Sequence, residues 1–206
     1  MARYSAEMAT PPRPSAVYLL IGLLTYVPAR SLLRMRWRGL ETLPKGGFVL
    51  AANHNSNLDP WALGVPLFPR RFLRFMGKSE LFWPPLSWVL EGAGAFKVHR
   101  GQGDQAAVDT AVALVRDGHI VVMFPEGTRR RKGLRKKFEA RPRTGAARIA
   151  IEAGAPLVPA AIRGTETLAR GTAVRVDYGA PLAPEGTPQE LTDRLMAEIE
   201  RMEASL

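Results

Sequence analysis

Residues 104–124 read DQAAVDTAVALVRDGHIVVMF, and the fold turns on how this stretch divides. Val108, Ala111, Val112 and Val115 recur at the three- and four-residue spacing of one helical face. Gly118 then supplies a natural helix stop. Residues 119–124 read as a strand, apolar without a break from Ile120 on, the pattern of one covered on both faces. A helix followed at once by a buried strand is half of a strand–helix–strand unit.

Working outward, the same unit recurs. Residues 144–153 carry Ala146, Ile149, Ala150 and Ala153 on one helical face, stop at Gly154, and lead into an apolar run at 157–162. Upstream, Phe48–Ala52 reads as a buried strand, and Asp59-Pro60 as a helix start with Asp at the N-cap and Pro in the first turn. Residues 71–76 run Arg-Phe-Leu-Arg-Phe-Met, and residues 95–99 and 174–178 read as short strands. Thr187-Pro188-Gln189-Glu190 is a capping box opening a last helix with Leu191, Leu195, Ile199 and Met202 inward. Alternating strands and helices predict an α/β fold: a single domain around a central mixed, largely parallel sheet flanked by helices.

Composition bounds the function. The chain has 206 residues, 46% hydrophobic and 23% charged, which excludes a disordered tail, a coiled coil and a multi-span membrane protein. Lys plus Arg total 29 against 19 Asp plus Glu, a net charge of +10, so anionic partners are favoured: nucleic acid, lipid headgroups or phosphorylated substrates. With no cysteine, disulfides, thiolate metal sites and a thiol nucleophile are excluded. No metal site is expected, since His99 and His119 stand at no ligand spacing from His54.

The N-terminal region divides in two. Residues 1–14 are expected to be loose, and residues 15–38 to form a helical segment lying in a membrane interface. Leu19, Leu20, Leu23, Leu24 and Val27 recur at helical spacing, and Leu32, Leu33, Met35 and Trp37 then sit among Arg30, Arg34, Arg36 and Arg38. The bland alternative is a helix docked on the domain's own core. The apolar run 16–27 is too short for the ~20 residues that span a bilayer and lacks a clear cleavage pattern. Residues 39–206 make the remaining domain, and the expected location is the cytoplasmic face of a membrane, held peripherally or monotopically.

Two polar segments follow strands. In Asn53-His54-Asn55-Ser56-Asn57-Leu58-Asp59-Pro60, His54 is a candidate general base and Asp59 a candidate orienting carboxylate. On one continuous helix they would lie about 140° apart, so they meet only if His54 is in the loop and Asp59 at the helix start. The spacing alone leaves open a loop histidine and a plain N-cap. After Phe124, Pro125-Glu126-Gly127-Thr128-Arg129 has the composition of an anion-binding turn, and Arg129, Arg130, Arg131, Lys132, Arg135, Lys136 and Lys137 continue it as a basic run. That run carries no aromatic before Phe138, which disfavours nucleic acid.

These segments together resemble the glycerophospholipid acyltransferase family, in particular its bacterial 1-acylglycerol-3-phosphate branch. Four blocks stand in that family's order: His54 to Asp59 as its His-x-x-x-x-Asp signature, residues 94–101, residues 124–129 and residues 157–162, with a weaker echo at Gly164-Thr165-Glu166. The resemblance implies His54 as base and Asp59 as its partner, with Arg100, Glu126, Gly127, Thr128 and Arg129 holding the acceptor's phosphate. Lys97 and His99 depart from the family's usual second block. The implied reaction moves a fatty acyl chain from a thioester, acyl-CoA or acyl-carrier protein, to the free hydroxyl of 1-acylglycerol 3-phosphate, with no cofactor. The alternatives are another glycerophosphate or hydroxylated lipid acceptor, a thioester hydrolase, and a non-enzymatic module binding anionic membrane or nucleic acid. An anionic membrane surface is the expected partner.

Overall fold

The computed structural model describes residues 14–98, 105–127, 142–170 and 173–206. Its seven strands, in chain order, are β1 (Arg36–Arg38), β2 (Phe48–Ala52), β3 (Leu73–Lys78), β4 (Ala95–Val98), β5 (Ile120–Met123), β6 (Leu157–Arg163) and β7 (Arg175–Tyr178). They form one sheet in the order β1-β7-β6-β2-β5-β3-β4. Pairings are parallel except β6 with β7, so the sheet is mixed and largely parallel, as the alternating pattern predicts.

The helices are α1 (Ala16–Ser31), α2 (Asp59–Gly64), α3 (Leu86–Gly92), α4 (Gln105–Arg116), α5 (Gly145–Ala153) and α6 (Pro188–Ser205). Alternate residues of β2 explain the layering. Phe48, Leu50 and Ala52 pack with Ala29 of α1 and Leu63 of α2, while Val49 and Ala51 pack with Ala111 and Val115 of α4, Ile149 of α5 and Leu195 of α6. Every residue of β2 is fully buried, which is why its sequence runs apolar without alternation. The glycine stops behave as read: Gly118 and Gly154 take φ of 87° and 64°, the left-handed values that end a helix cheaply only for glycine.

Two expectations change. The segment 15–38 is not helical throughout, because α1 ends at Ser31 and Arg36–Arg38 is the edge strand of the sheet. Met35 is buried and Trp37 half-buried while Arg36 and Arg38 are exposed, the period-2 pattern of an edge strand. The arginines have work inside the molecule: Arg38 makes a two-pronged contact with Asp177, its register partner on β7, at 2.5 and 3.2 Å, and Arg30 lies 4.8 Å over the Trp37 ring. Within α1, the leucines read as its apolar face point outward. Leu20, Leu23, Leu24 and Val27 are exposed, whereas Ala29 is buried and the Tyr18 hydroxyl bonds to Arg71 O at 3.2 Å. Burial pushes the Tyr18 phenol up to about 12. The helix docks by its opposite face, with Thr25 Oγ1 accepting from Trp61 Nε1 at 3.1 Å.

The second change is local. The α2 helix begins at Asp59 itself, Leu58 precedes it with no side-chain cap, and the Asp59 carboxylate turns back along the chain instead of capping forward.

Candidate active site

Three neighbouring parallel strands, β6, β2 and β5, end at the same edge of the sheet, where loops leave the carboxyl ends of the strands. The loop after β2 carries His54, the turn after β5 carries Phe124 to Gly127, and the turn after β6 carries Thr165. Loops on a rigid strand framework are the usual places for chemistry.

The site is built around Asp59, which is fully buried. Its Oδ2 lies 2.8 Å from His54 Nδ1 and also accepts the backbone N–H groups of Asn55 and Ser56 at 2.7 and 2.8 Å. Its Oδ1 accepts the Thr165 hydroxyl at 2.6 Å. An ionised carboxylate only accepts, so a neutral His54 imidazole facing it carries its proton on Nδ1 and its lone pair on Nε2. The His54 side chain is 18% exposed against 0% for Asp59, so the imidazole is within a substrate's reach and the carboxylate is not. The Phe124 ring stacks on the imidazole at 4.1 Å and 17°, fixing its plane. The geometry is that of a histidine base with a buried orienting carboxylate.

Asn53, 1% exposed, holds the loop to its neighbours. Its side chain donates to Ile162 O and Glu203 Oε1, each at 2.9 Å, and accepts Ile162 N–H at 2.8 Å. Asn55 adds a bond to Ile162 O at 3.1 Å. The end of β2, the end of β6 and α6 are thereby tied together one residue before His54.

Of the residues expected to hold the acceptor's phosphate, Glu126 and Gly127 lie in the turn that Phe124 anchors against His54. That turn is closed by Gly127 N–H on Phe124 O at 3.0 Å and by Arg143 N–H on Pro125 O at 2.8 Å. Arg100, Thr128 and Arg129, and the basic run after them, lie outside the described residues. Gly127 takes φ of 67°, and a Cβ there would sit 2.7 Å from Arg143 Nε, so Arg143 packs against this turn. From sequence, Phe124 enters only as the first residue of the 124–129 block, without a role of its own, and Arg143 does not stand out. Arg143 stands beyond the basic run with no pattern to mark it, and Phe124 reads simply as the last residue of a strand.

His119 is not part of the site. It sits at the opposite end of β5, where burial and the nearby Arg74 charge hold it below its usual 6.5. Among the described residues no cluster of His, Asp or Glu could hold a metal ion.

Comparison with known proteins places the chain in a family. The family model described as Acyltransferase matches residues 34–163. The 1-acyl-sn-glycerol-3-phosphate acyltransferase of Bacillus subtilis is 37% identical over 128 residues, covering 60% of this chain and 60% of that protein. A probable 1-acyl-sn-glycerol-3-phosphate acyltransferase of Mycoplasma pneumoniae is 30% identical over 159 residues, covering 72% of this chain and 55% of that one. The matched stretches thus span no more than three fifths of these relatives. The crystal structure of the 1-acyl-sn-glycerophosphate acyltransferase PlsC from Thermotoga maritima superposes with a TM-score of 0.64 at 23% identity, over 91% of this chain and 78% of that one, which establishes a shared fold. With the family model spanning well over half its length, this chain belongs to the acyltransferase family.

Proposed function

We propose that this protein transfers a fatty acyl chain from an acyl thioester to the free hydroxyl of 1-acylglycerol 3-phosphate, making phosphatidic acid at a membrane surface. The observation that carries the reading is the His54–Asp59 pair, with Nδ1 engaged at 2.8 Å and Nε2 left as the base. His54 Nε2 takes the hydroxyl proton as that oxygen attacks the thioester carbonyl carbon. The tetrahedral intermediate then collapses, the C–S bond breaks, and the departing thiolate takes the proton back from the imidazolium. Within the Phe124–Gly127 turn, where Pro125 has no N–H and that of Gly127 bonds Phe124 O, the Glu126 backbone N–H is assigned to face the developing oxyanion. Glu126, Gly127 and Arg143 of the described residues, with Arg100, Thr128 and Arg129, are assigned to the acceptor's phosphate. Acyl-CoA and acyl-carrier protein both suit as donor, and no cofactor enters the reaction.

The membrane assignment rests on α1. Its exposed stripe of Leu19, Leu20, Leu23, Leu24 and Val27 is flanked by Arg30 and Arg34, a pattern suited to an anionic bilayer surface. Beside it, α3 and the turn before it expose Trp83, Trp88 and Val89, with Val17 of α1 packed on Gly92. No helix among the described residues is long and apolar enough to cross a membrane. The exposed stripe of α1 suits attachment to one leaflet.

Mass spectrometry of the products from a long-chain acyl-CoA offered with 1-acylglycerol 3-phosphate, glycerol 3-phosphate or neither tests the reading. Diacylated glycerol phosphate forming only with the first is expected. Free fatty acid formed equally without acceptor would make the protein a thioester hydrolase. No turnover of any pair, alongside salt-sensitive binding to anionic vesicles, would make it a binding module.

A further inference from the structure

The Asp59 carboxylate has its two oxygens held by different parts of the chain. Oδ2 is fixed from its own loop by Asn55 and Ser56 N–H and bears on His54. Among the described residues the donor to Oδ1 is Thr165, which is 3% exposed and arrives from the turn after β6. That turn is preset. Gly164 takes φ of +95°, and a Cβ there would lie 2.4 Å from Ala173 O. Gly164 N–H donates to Glu166 Oε2 at 3.1 Å, and Gly164 O accepts Thr167 N–H at 3.3 Å. The backbone thus delivers one hydroxyl to a buried anion, where a lost donor is poorly replaced by solvent.

We infer that Thr165 is a positioning residue of the acyl transfer: its hydroxyl holds Oδ1 so that Oδ2 stays in line with His54 Nδ1–H. The inference rests on His54 being the base. Without the hydroxyl, a carboxylate gripped at one oxygen is free to turn about its own bond, which loosens its hold on the imidazole.

Thr165→Val and Thr165→Ala delete the donor, and Thr165→Ser keeps it. The deletions are expected to lower kcat by about 10- to 100-fold, the size of one hydrogen bond to a charged group, with KM for donor and acceptor moving less than about twofold. The serine variant is expected to restore most of kcat. In an Asp59→Asn background, Thr165→Val should cost little more, because the anion it serves is gone. A normal kcat per folded enzyme in both deletions, or a serine variant as slow as valine, would overturn the assignment. His54→Ala measured alongside separates the two failures. If it retains turnover, the base reading falls and takes this one with it. If it is dead while both Thr165 deletions turn over normally, only the Thr165 role falls.

Discussion

Asn53 shows how much of a site can depend on a side chain outside the chemistry. Asn53→Ala removes three hydrogen bonds at once and leaves the buried Ile162 N–H without its acceptor. A loss of about 1–3 kcal/mol is expected, read as a lower urea midpoint at unchanged m. Turnover should fall with it, since the same bonds hold the strand ends on either side of His54. The pairing of His54 with Asp59 was legible from sequence as a condition: they could meet only with one in the loop and the other at the helix start, and that is where they stand. Asn53 and Thr165 were not legible in these roles. Their partners lie 109 and 106 residues away, and a polar residue at a strand end gives no sign of which distant group it will meet. The acceptor-side residues Arg100, Thr128 and Arg129 rest on resemblance and call for substitution one by one.

At the scale of elements, local rules held where the chain obeyed a single period. The α6 cap is the plainest case: Thr187 Oγ1 accepts Glu190 N–H at 3.2 Å and Glu190 Oε2 accepts Thr187 N–H at 2.8 Å. Thr187→Ala should cost about 1 kcal/mol in chemical denaturation. The bond to Thr187 N–H holds the Glu190 carboxyl below its usual 4.5. A depressed carboxylate adds stability that is present above its unfolded value and is lost as pH falls through the folded one. The difference in melting temperature between wild type and Glu190→Ala should therefore be constant near neutrality and close as the pH drops below the carboxylate range. A gap that persists in strong acid would argue against the ionised cap. Residues 34–38 show the opposite situation. Arg-Met-Arg-Trp-Arg alternates strictly and is a strand signal, but it follows directly on a helical leucine pattern and was absorbed into it. Only the pairing with β7 reveals where the period changes from 3.6 to 2.

For the whole molecule, the proposed function raises the question of how the sheet edge that carries His54 would meet a lipid. The leucine pattern of α1 was visible in the sequence, but not its direction, because an apolar helical face fits a core and a bilayer equally well. The direction comes from the fold: Leu20, Leu23, Leu24 and Val27 face outward while the helix docks by Ala29, Tyr18 and Thr25. Leu20→Glu with Leu24→Glu is expected to abolish sedimentation with anionic phospholipid vesicles while leaving the fold's melting temperature nearly unchanged, as exposed sites should. Undiminished vesicle binding would move the membrane contact elsewhere, the basic run after Arg129 being the next candidate. The base role of His54 is tested most directly by thiol release from a long-chain acyl-CoA, followed with and without 1-acylglycerol 3-phosphate for wild type and His54→Ala. The expected result is release that requires the acceptor and falls by about 10²–10⁴ in the folded variant. Release indifferent to both the acceptor and the histidine would contradict it.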